Sequence, residues 1–366
     1  MAFHPMNLNI LLLPGDGIGI EVTAEAVRVL NHVAAKFGHK VNSREALLGG
    51  IAIKKTGGPF PEETQKLCME CDAVLMGAVG LPEFDSLPAD KRPEKGLLGI
   101  RKTMGVYANL RPVKSFKALL DSSPLKNERV DGTDMIIVRE LCGGLYYGTP
   151  RGISGSGDTE QGLNTMVYTR AEVRRITKMA FELARNRRKK LTSVDKSNVL
   201  ETSQLWRKVV EEVAVDYKDV QLEHILVDNC AMQLVLRPTQ FDVLVTENMF
   251  GDILSDEGAI LAGSIGMLPS ASIGDKKASG VWTGLYEPVH GSAPDIAGQQ
   301  KANPLAAIGS VAAMFEYSFG LKEESAAINA AMEAVLNSGN VTADLKPKGK
   351  PATTEQVGKA VCEAIG

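Results

Sequence analysis

The chain of 366 residues is poor in histidine and cysteine, with five of each, and carries no strong charge of either sign. Its thiols, Cys68, Cys71, Cys142, Cys230 and Cys362, are odd in number and scattered, which argues against a disulfide framework. Cys68 and Cys71 form a C-x-x-C, but they close the helical stretch "PEETQKLCMEC" instead of opening a helix after a strand. A zinc site needs further ligands, and no second C-x-x-C or close histidine pair supplies them. Both read as structural thiols. A formal net charge of −3 and a pI near 6.1 remove any general attraction to nucleic acid or anionic membrane. The single basic run, Arg185 to Lys190, ends a helix expected to start near Arg170, where cations complement the helix dipole. No apolar run reaches the length of a membrane span, and the N-terminus has neither a signal nor a transit pattern. A cytoplasmic location is expected. There is no internal repeat.

What is present is an alternation of short apolar runs with amphipathic helices. Strands are expected at 8–13, 72–79, 134–141, 163–169, 191–195, 222–228 and 242–246. The first helix carries Val22, Ala26, Val29, Leu30 and Val33 on one face. Pro61 sits where a first-turn proline belongs. This pattern signals an α/β protein with a mostly parallel sheet and site loops at strand C-termini. "LLLPGDGIGIEV" (11–22) looks like the strand–turn–helix of a dinucleotide cradle. The Rossmann fingerprint G-x-G-x-x-G fails, however, because Ile20 stands at the last glycine position, and Asp16 sets a carboxylate where a pyrophosphate would lie. The Rossmann reading is rejected. Two stretches break the rhythm: a long polar loop at 80–96 and a glycine- and serine-rich arm at 148–162.

Several residue groups point to chemistry. Arg101, Arg111 and Arg139 are forks able to bind the carboxylates of a di- or tricarboxylate, although each alone reads as an ordinary surface cation. In "NMFGDILSDEGA", Asp252 and Asp256 are i and i+4 on a helix, hard oxygen donors suited to Mg2+ or Mn2+ or else two solvated acids. Asp228 ends the run "LEHILVD", and Lys196 ends "LTSVDK". A lysine among apolar neighbours and near a cation would have a depressed pKa and act as a base. Tyr146 offers a phenolic proton. The loop "EPVHGSAPDIAGQQKANP" holds His290, Gly291, Asp295 and Asn303, with Asn303 expected at a helix N-cap and Pro304 at its first position.

Taken together and in order, "LPGDGIGIEV", "GIRKTMGVYANLRPVK", "VRELCGGLYYG", "SVDKSNVLE", "NMFGDILSDE" and "EPVHGSAPDIAGQQKANP" resemble the β-decarboxylating hydroxyacid dehydrogenases of the isocitrate/isopropylmalate dehydrogenase family, from about residue 8 to the C-terminus. The resemblance implies that family's two-domain α/β fold. Residues 1–106 and 263–366 would form the cofactor-binding domain, and 107–262 a substrate, metal and dimerisation domain with an arm at about 148–168. Arg101, Arg111 and Arg139 would bind the malate carboxylates. Asp228, Asp252 and Asp256 would bind Mg2+ or Mn2+, Lys196 would remove the hydroxyl proton, and Tyr146 would protonate the product carbon. Glu287, His290, Gly291, Ser292, Ala293, Asp295, Ile296 and Asn303 would hold NAD, with the G-D-G-I-G turn near its nicotinamide end. A homodimer is implied in which Lys196 and Asp228 serve the neighbouring subunit's site.

Family members differ at the γ-substituent of a shared malate core. Glu94 would repel a third carboxylate, while Leu97, Leu98 and Val199 suit a branched alkyl group. Burying isopropyl carbons contributes about 2 kcal/mol at about 0.8 per carbon. The expected reaction is therefore oxidative decarboxylation of 3-isopropylmalate to 4-methyl-2-oxopentanoate, a step of leucine biosynthesis, with tartrate, D-malate or homoisocitrate as the alternative substrates. Asp295 suits the ribose hydroxyls of NAD and would repel a 2′-phosphate. A non-catalytic subunit would have lost Lys196, Tyr146 or an aspartate ligand, and all are present. A nucleic-acid-binding module lacks both charge and motif. Glu247 adds an acid just before the Asp252 helix, with no sign in the sequence of where it faces.

Overall fold

A computed structural model describes residues 5–88, 91–261 and 263–366. The first segment runs β1 (Asn7–Gly15), α1 (Gly19–Lys36), β2 (Lys40–Glu45), α2 (Gly50–Thr56), α3 (Glu62–Glu70), β3 (Ala73–Ala78) and α4 (Pro93–Met104). The middle runs β4 (Ala108–Lys114), α5 (Asn127–Val130), β5 (Asp134–Glu140), β6 (Gly152–Ser154), β7 (Gln161–Leu163), α6 (Arg170–Arg185), β8 (Lys190–Asp195) and α7 (Glu201–Ala214). It continues through β9 (Gln221–Leu226), α8 (Val227–Leu236), β10 (Val243–Thr246) and α9 (Asn248–Leu261). The last segment adds β11 (Pro269–Lys276), β12 (Trp282–Pro288), α10 (Leu305–Tyr317), α11 (Lys322–Ser338) and α12 (Thr354–Ile365).

The chain divides into two compact units. The first comprises Met1–Val106, Phe116–Pro124 and Ala262–Gly366; the second comprises Tyr107–Ser115 and Leu125–Leu261. Residues 116–124 thus lie with the chain ends.

In the first unit the strand order is β2-β1-β3-β12-β11, parallel except for the β11–β12 pair. Helix α1 buries Val22, Ala26, Val29, Leu30 and Val33, the face its periodicity marks out. It packs with α10, α11 and α12. Helix α10 is buried from Leu305 to Phe315, so both chain ends share one core. Cys68 and Cys71 lie in the apolar cluster with Leu13, Val74, Met76 and Ile100. Burial pushes their thiols up to about 12 and about 11, which makes both poor nucleophiles.

In the second unit the order is β4-β5-β10-β8-β9, parallel except for β4 against β5. Helices α6 and α7 pack as one pair and α8 with α9 as another, and α9 lies on β4 and β5. Strands β6 and β7 form a separate exposed hairpin within the glycine-rich arm.

Several sequence expectations are corrected. Residues 164–169 are not a strand; the chain there is an irregular lead-in to the Thr169 capping box of α6. Val227 and Asp228 belong to α8, not to the preceding strand. Pro61 is the N-cap of α3, one position before the first turn. Pro304, not Asn303, is the N-cap residue of α10, although Leu305 N still donates to Asn303 Oδ1 at 3.0 Å. The stretch expected as a loop at 80–96 contains a short 3-10 turn at Pro82–Phe84, and its last four residues, 93–96, are already the first turn of α4; its residues 89 and 90 lie outside the described residues. Strands β2, β4, β11 and β12 had no counterpart among the expected elements.

Among the described residues, no helix is long and apolar enough to cross a membrane.

Candidate active site

The first unit explains its glycine turn by close packing. Gly17 has φ +56°, and a Cβ there would stand 2.0 Å from Ser292 O, so only glycine lets this turn meet the 290s loop. Ile18 N donates to that same carbonyl at 2.8 Å. Asp16 is not aimed at a phosphate. Its buried carboxylate accepts from Gly50 N, Ile51 N and Gly80 N at 2.7–2.9 Å, anchoring the start of α2.

The expected cofactor residues lie on and after β12. Glu287 is buried and accepts from Arg101 Nη2 at 3.0 Å, linking a residue expected at the substrate with one expected at the cofactor. His290 places Nδ1 2.9 Å from Gly291 O, which leaves Nε2 buried without a hydrogen-bond partner among the described residues. Burial holds its imidazole below the usual histidine pKa, so it is neutral near pH 7. A neutral ring with one orphaned acceptor fits a group such as the adenine amino of a dinucleotide. Ser292 is buried, Ala293 has φ +35°, Ile296 is half-buried, and Gly291 and Asp295 are exposed. Asn303 donates from Nδ2 to Asp344 Oδ2 at 3.0 Å, and Asp344 also accepts from Ser264 and Thr342. Asp344 escaped the sequence reading because it lies far along the chain in no recognisable pattern.

On α4, Glu94 is exposed and Leu97 and Leu98 are half-buried. Leu97 leans on the apolar core cluster, so part of its surface is structural.

The second unit assembles the acids and arginines. Its sheet sets Arg139 at the end of β5 and Arg111 on the neighbouring β4, and both reach α9. Arg139, almost wholly buried, ion-pairs with Asp252, and its Nε and Nη2 donate to Asn248 Oδ1 at 3.0 and 2.8 Å. Arg111 Nη1 lies 3.1 Å from Asp256 Oδ1, and Nη2 lies 3.9 Å from Asp252. Tyr146 OH donates to Asp252 Oδ2 at 2.7 Å. Burial and that bond push the Tyr146 phenol up to about 12, so it holds its proton. Burial alone would raise the Asp252 carboxyl, but Arg139, Tyr146 and Arg111 together keep it below the ordinary carboxylate range.

Lys196 follows β8 and donates from Nζ to Asp228 Oδ1 at 2.8 Å. That bond, with the first-turn backbone of α8, lowers the Asp228 pKa. Val199 nearby is 60% exposed. The expected metal ligands therefore fall into two groups: Asp252 and Asp256 with the arginines, and Asp228 with Lys196. Among the described residues, no three His, Cys, Asp or Glu side chains form a group able to hold a metal ion. Asp252 and Asp256 are hard donors one turn apart, with Asp256 65% exposed, and they fit Mg2+ or Mn2+ as part of a ligand set.

Two buried acids shape this region: Glu140, which the sequence gives no reason to single out, and Glu247, whose direction the sequence leaves open. Glu140 accepts from Cys142 N and Gly143 N at 2.9 and 2.7 Å and pairs with Arg175, shaping the turn before Tyr146. Glu247 faces inward as the cap of α9, accepting from Met249 N and Phe250 N at 3.0 and 2.7 Å. Such caps contribute about 1 kcal/mol.

Residues 9–361 match the isocitrate/isopropylmalate dehydrogenase family. The chain is 56% identical to the 3-isopropylmalate dehydrogenase of Halalkalibacterium halodurans, covering 98% of each. It is 58% identical to that of Aquifex aeolicus, covering 93% of this chain and 92% of the relative. Among solved structures it resembles an isocitrate dehydrogenase from Methylococcus capsulatus, with TM-score 0.85 and 34% identity over 98% of this chain and 99% of that one.

Proposed function

The chain belongs to the isocitrate/isopropylmalate dehydrogenase family, and from that premise we propose that it oxidises and decarboxylates 3-isopropylmalate to 4-methyl-2-oxopentanoate and CO2, using NAD and Mg2+ or Mn2+. The observation that carries the chemistry is the Arg111–Arg139–Tyr146 cluster around Asp252 and Asp256. Bound NAD would supply a hydride acceptor for C2 and a bound cation a Lewis acid for the 2-oxo oxygen, which together make loss of CO2 feasible.

The chain's own residues supply the rest. Arg101, Arg111 and Arg139 bind the two malate carboxylates, whose charge takes over from the carboxylates these arginines now face. Lys196, freed of Asp228 when that carboxylate turns to the cation and once its ammonium has given a proton to solvent, takes the C2 hydroxyl proton. Tyr146, still a phenol at neutral pH, gives its proton to the carbon that has lost CO2. Asp252 and Asp256 hold the cation with Asp228. Glu94, Leu97, Leu98 and Val199 select an alkyl substituent over a third carboxylate. His290 and the residues around it receive the adenosine part of the cofactor, and the Asp295 carboxylate selects against a 2′-phosphate.

The separate Lys196–Asp228 pair suggests where the third ligand comes from. Asp228 stands on α8, whose Met232 and Val235 are exposed, beside α9 with exposed Ile253 and Ile260. A second copy of the chain on this apolar face would bring its Lys196 and Asp228 to the first copy's Asp252, giving a homodimer with shared sites.

Initial rates of NADH formation on 3-isopropylmalate, isocitrate, D-malate, tartrate and homoisocitrate test the substrate. The expected kcat/KM for 3-isopropylmalate exceeds each of the others by at least about a hundredfold, is abolished by EDTA and returns with Mg2+. Comparable turnover of isocitrate would overturn the role of Glu94, Leu97 and Leu98.

A further inference from the structure

Tyr168 lies where two catalytic elements meet. Its OH donates to Glu247 Oε2 at 2.9 Å and accepts from Asn248 N at 2.9 Å, so it is bonded to both of the residues that begin α9. Its ring lies against the turn that carries Tyr146. A Cβ on Gly143 would stand 2.7 Å from Tyr168 Cε1, and one on Gly144 2.3 Å from its Oη. Gly144 N donates to Val167 O at 3.1 Å, and Asn248 Nδ2 donates to Gly143 O at 3.1 Å. The edge of Trp206, with ring centroids 5.8 Å apart, fixes the far side of the Tyr168 ring. Glu247 completes the joint by capping Met249 N and Phe250 N.

We infer that the buried Tyr168–Glu247 pair is a positioning device that keeps the Tyr146 turn in register with α9, and so fixes the Tyr146 hydroxyl against Asp252 and both α9 carboxylates toward the cation. Neither residue touches the reacting atoms. The pair acts through the 2.7 Å bond between Tyr146 and Asp252, which needs two elements from distant parts of the chain to agree within a fraction of an ångström. Sliding α9 by a small amount would turn Asp252 and Asp256 together, since both ride on the same helix. This inference rests on the roles proposed above for Tyr146, Asp252 and Asp256.

The test is Tyr168→Phe, which keeps the ring and its packing and removes only the hydroxyl. It is measured in the wild-type and Tyr146→Phe backgrounds, together with direct Mn2+ binding by calorimetry in the absence of substrate. The expected result is a fall in kcat of about tenfold in the wild-type background and less than about twofold when Tyr146 is already phenylalanine, because the two act as one unit. Mn2+ affinity should weaken about threefold. Equal losses of kcat in both backgrounds, or unchanged Mn2+ affinity, would overturn the inference, since a merely structural tyrosine costs the same in either. Should Tyr168→Phe fail to fold, Glu247→Gln is read in the same two ways. Were the unaltered chain inert toward 3-isopropylmalate, the functional reading would fall, and the Mn2+ measurement would still decide this one.

Discussion

Glu247 shows how one residue's surroundings decide its meaning. From the sequence it is one more acid beside a suspected metal helix. In the fold it is buried, caps α9 and bonds to Tyr168. Burial raises its pKa above the ordinary glutamate value. The folded chain therefore holds that proton more tightly than the unfolded one. The contribution of Glu247 to stability is fully present below the unfolded value, about 4.3, and is lost as pH rises through the folded value. We expect the melting temperature of Glu247→Gln, relative to wild type, to improve steadily from pH 4 to pH 7. Thermal unfolding across that range checks it, and a difference independent of pH would contradict it. Arg111, Arg139, Asp252, Asp256, Lys196 and Tyr146, proposed above to meet the substrate or the cation, stand out in the sequence because their chemistry is written in their type. Glu140, Glu247, Tyr168 and Asp344 do not, because each works through hydrogen bonds to distant residues whose proximity only the fold creates.

Among the elements, strands with strong apolar runs were readable and the rest were not. β1, β3, β5, β8 and β10 are buried nearly throughout and appeared as expected. β2 reads "KVNSRE" and is exposed along most of its length, which suits the edge of its sheet but carries no hydrophobic signal. β4 contains Pro112, which argues against a strand until its antiparallel pairing with β5 is seen. The stretch 163–169 shows the opposite case: only Leu163 pairs in a strand, Val167 is exposed, and Tyr168 is buried by itself without joining a sheet.

Helices α8 and α9 carry a further element-scale expectation. Met232, Val235, Ile253 and Ile260 are exposed on neighbouring helices, an unusual use of apolar residues for a chain that acts alone. If the proposed dimer forms through this face, Met232→Asp combined with Ile253→Asp should convert it to monomer in light scattering and lower kcat at least about a hundredfold, because a desolvated charge would oppose the contact and the separated chain would lack a second copy's Lys196. A monomer of undiminished activity would refute the shared site.

For the molecule as a whole, the α/β class is legible in the alternation of apolar runs and helices, and both chain ends lie in one compact unit. The compact units change over between Val106 and Tyr107, inside the stretch "GVYANLRPVK". The return of residues 116–124 to the other unit is not legible, since nothing local marks it. In the proposed dimer the chain gives Tyr146, Asp252 and Asp256 to one site, and Lys196 with Asp228 to the site of the second copy. The most direct test mixes two variants of low residual activity, Lys196→Ala and Tyr146→Phe, under conditions that let subunits exchange. If sites are shared, each mixed dimer contains one intact site, and statistical exchange should restore about a quarter of wild-type NADH formation on 3-isopropylmalate. Activity that stays at the level of the separate variants, with mixed dimers shown to form, would contradict it.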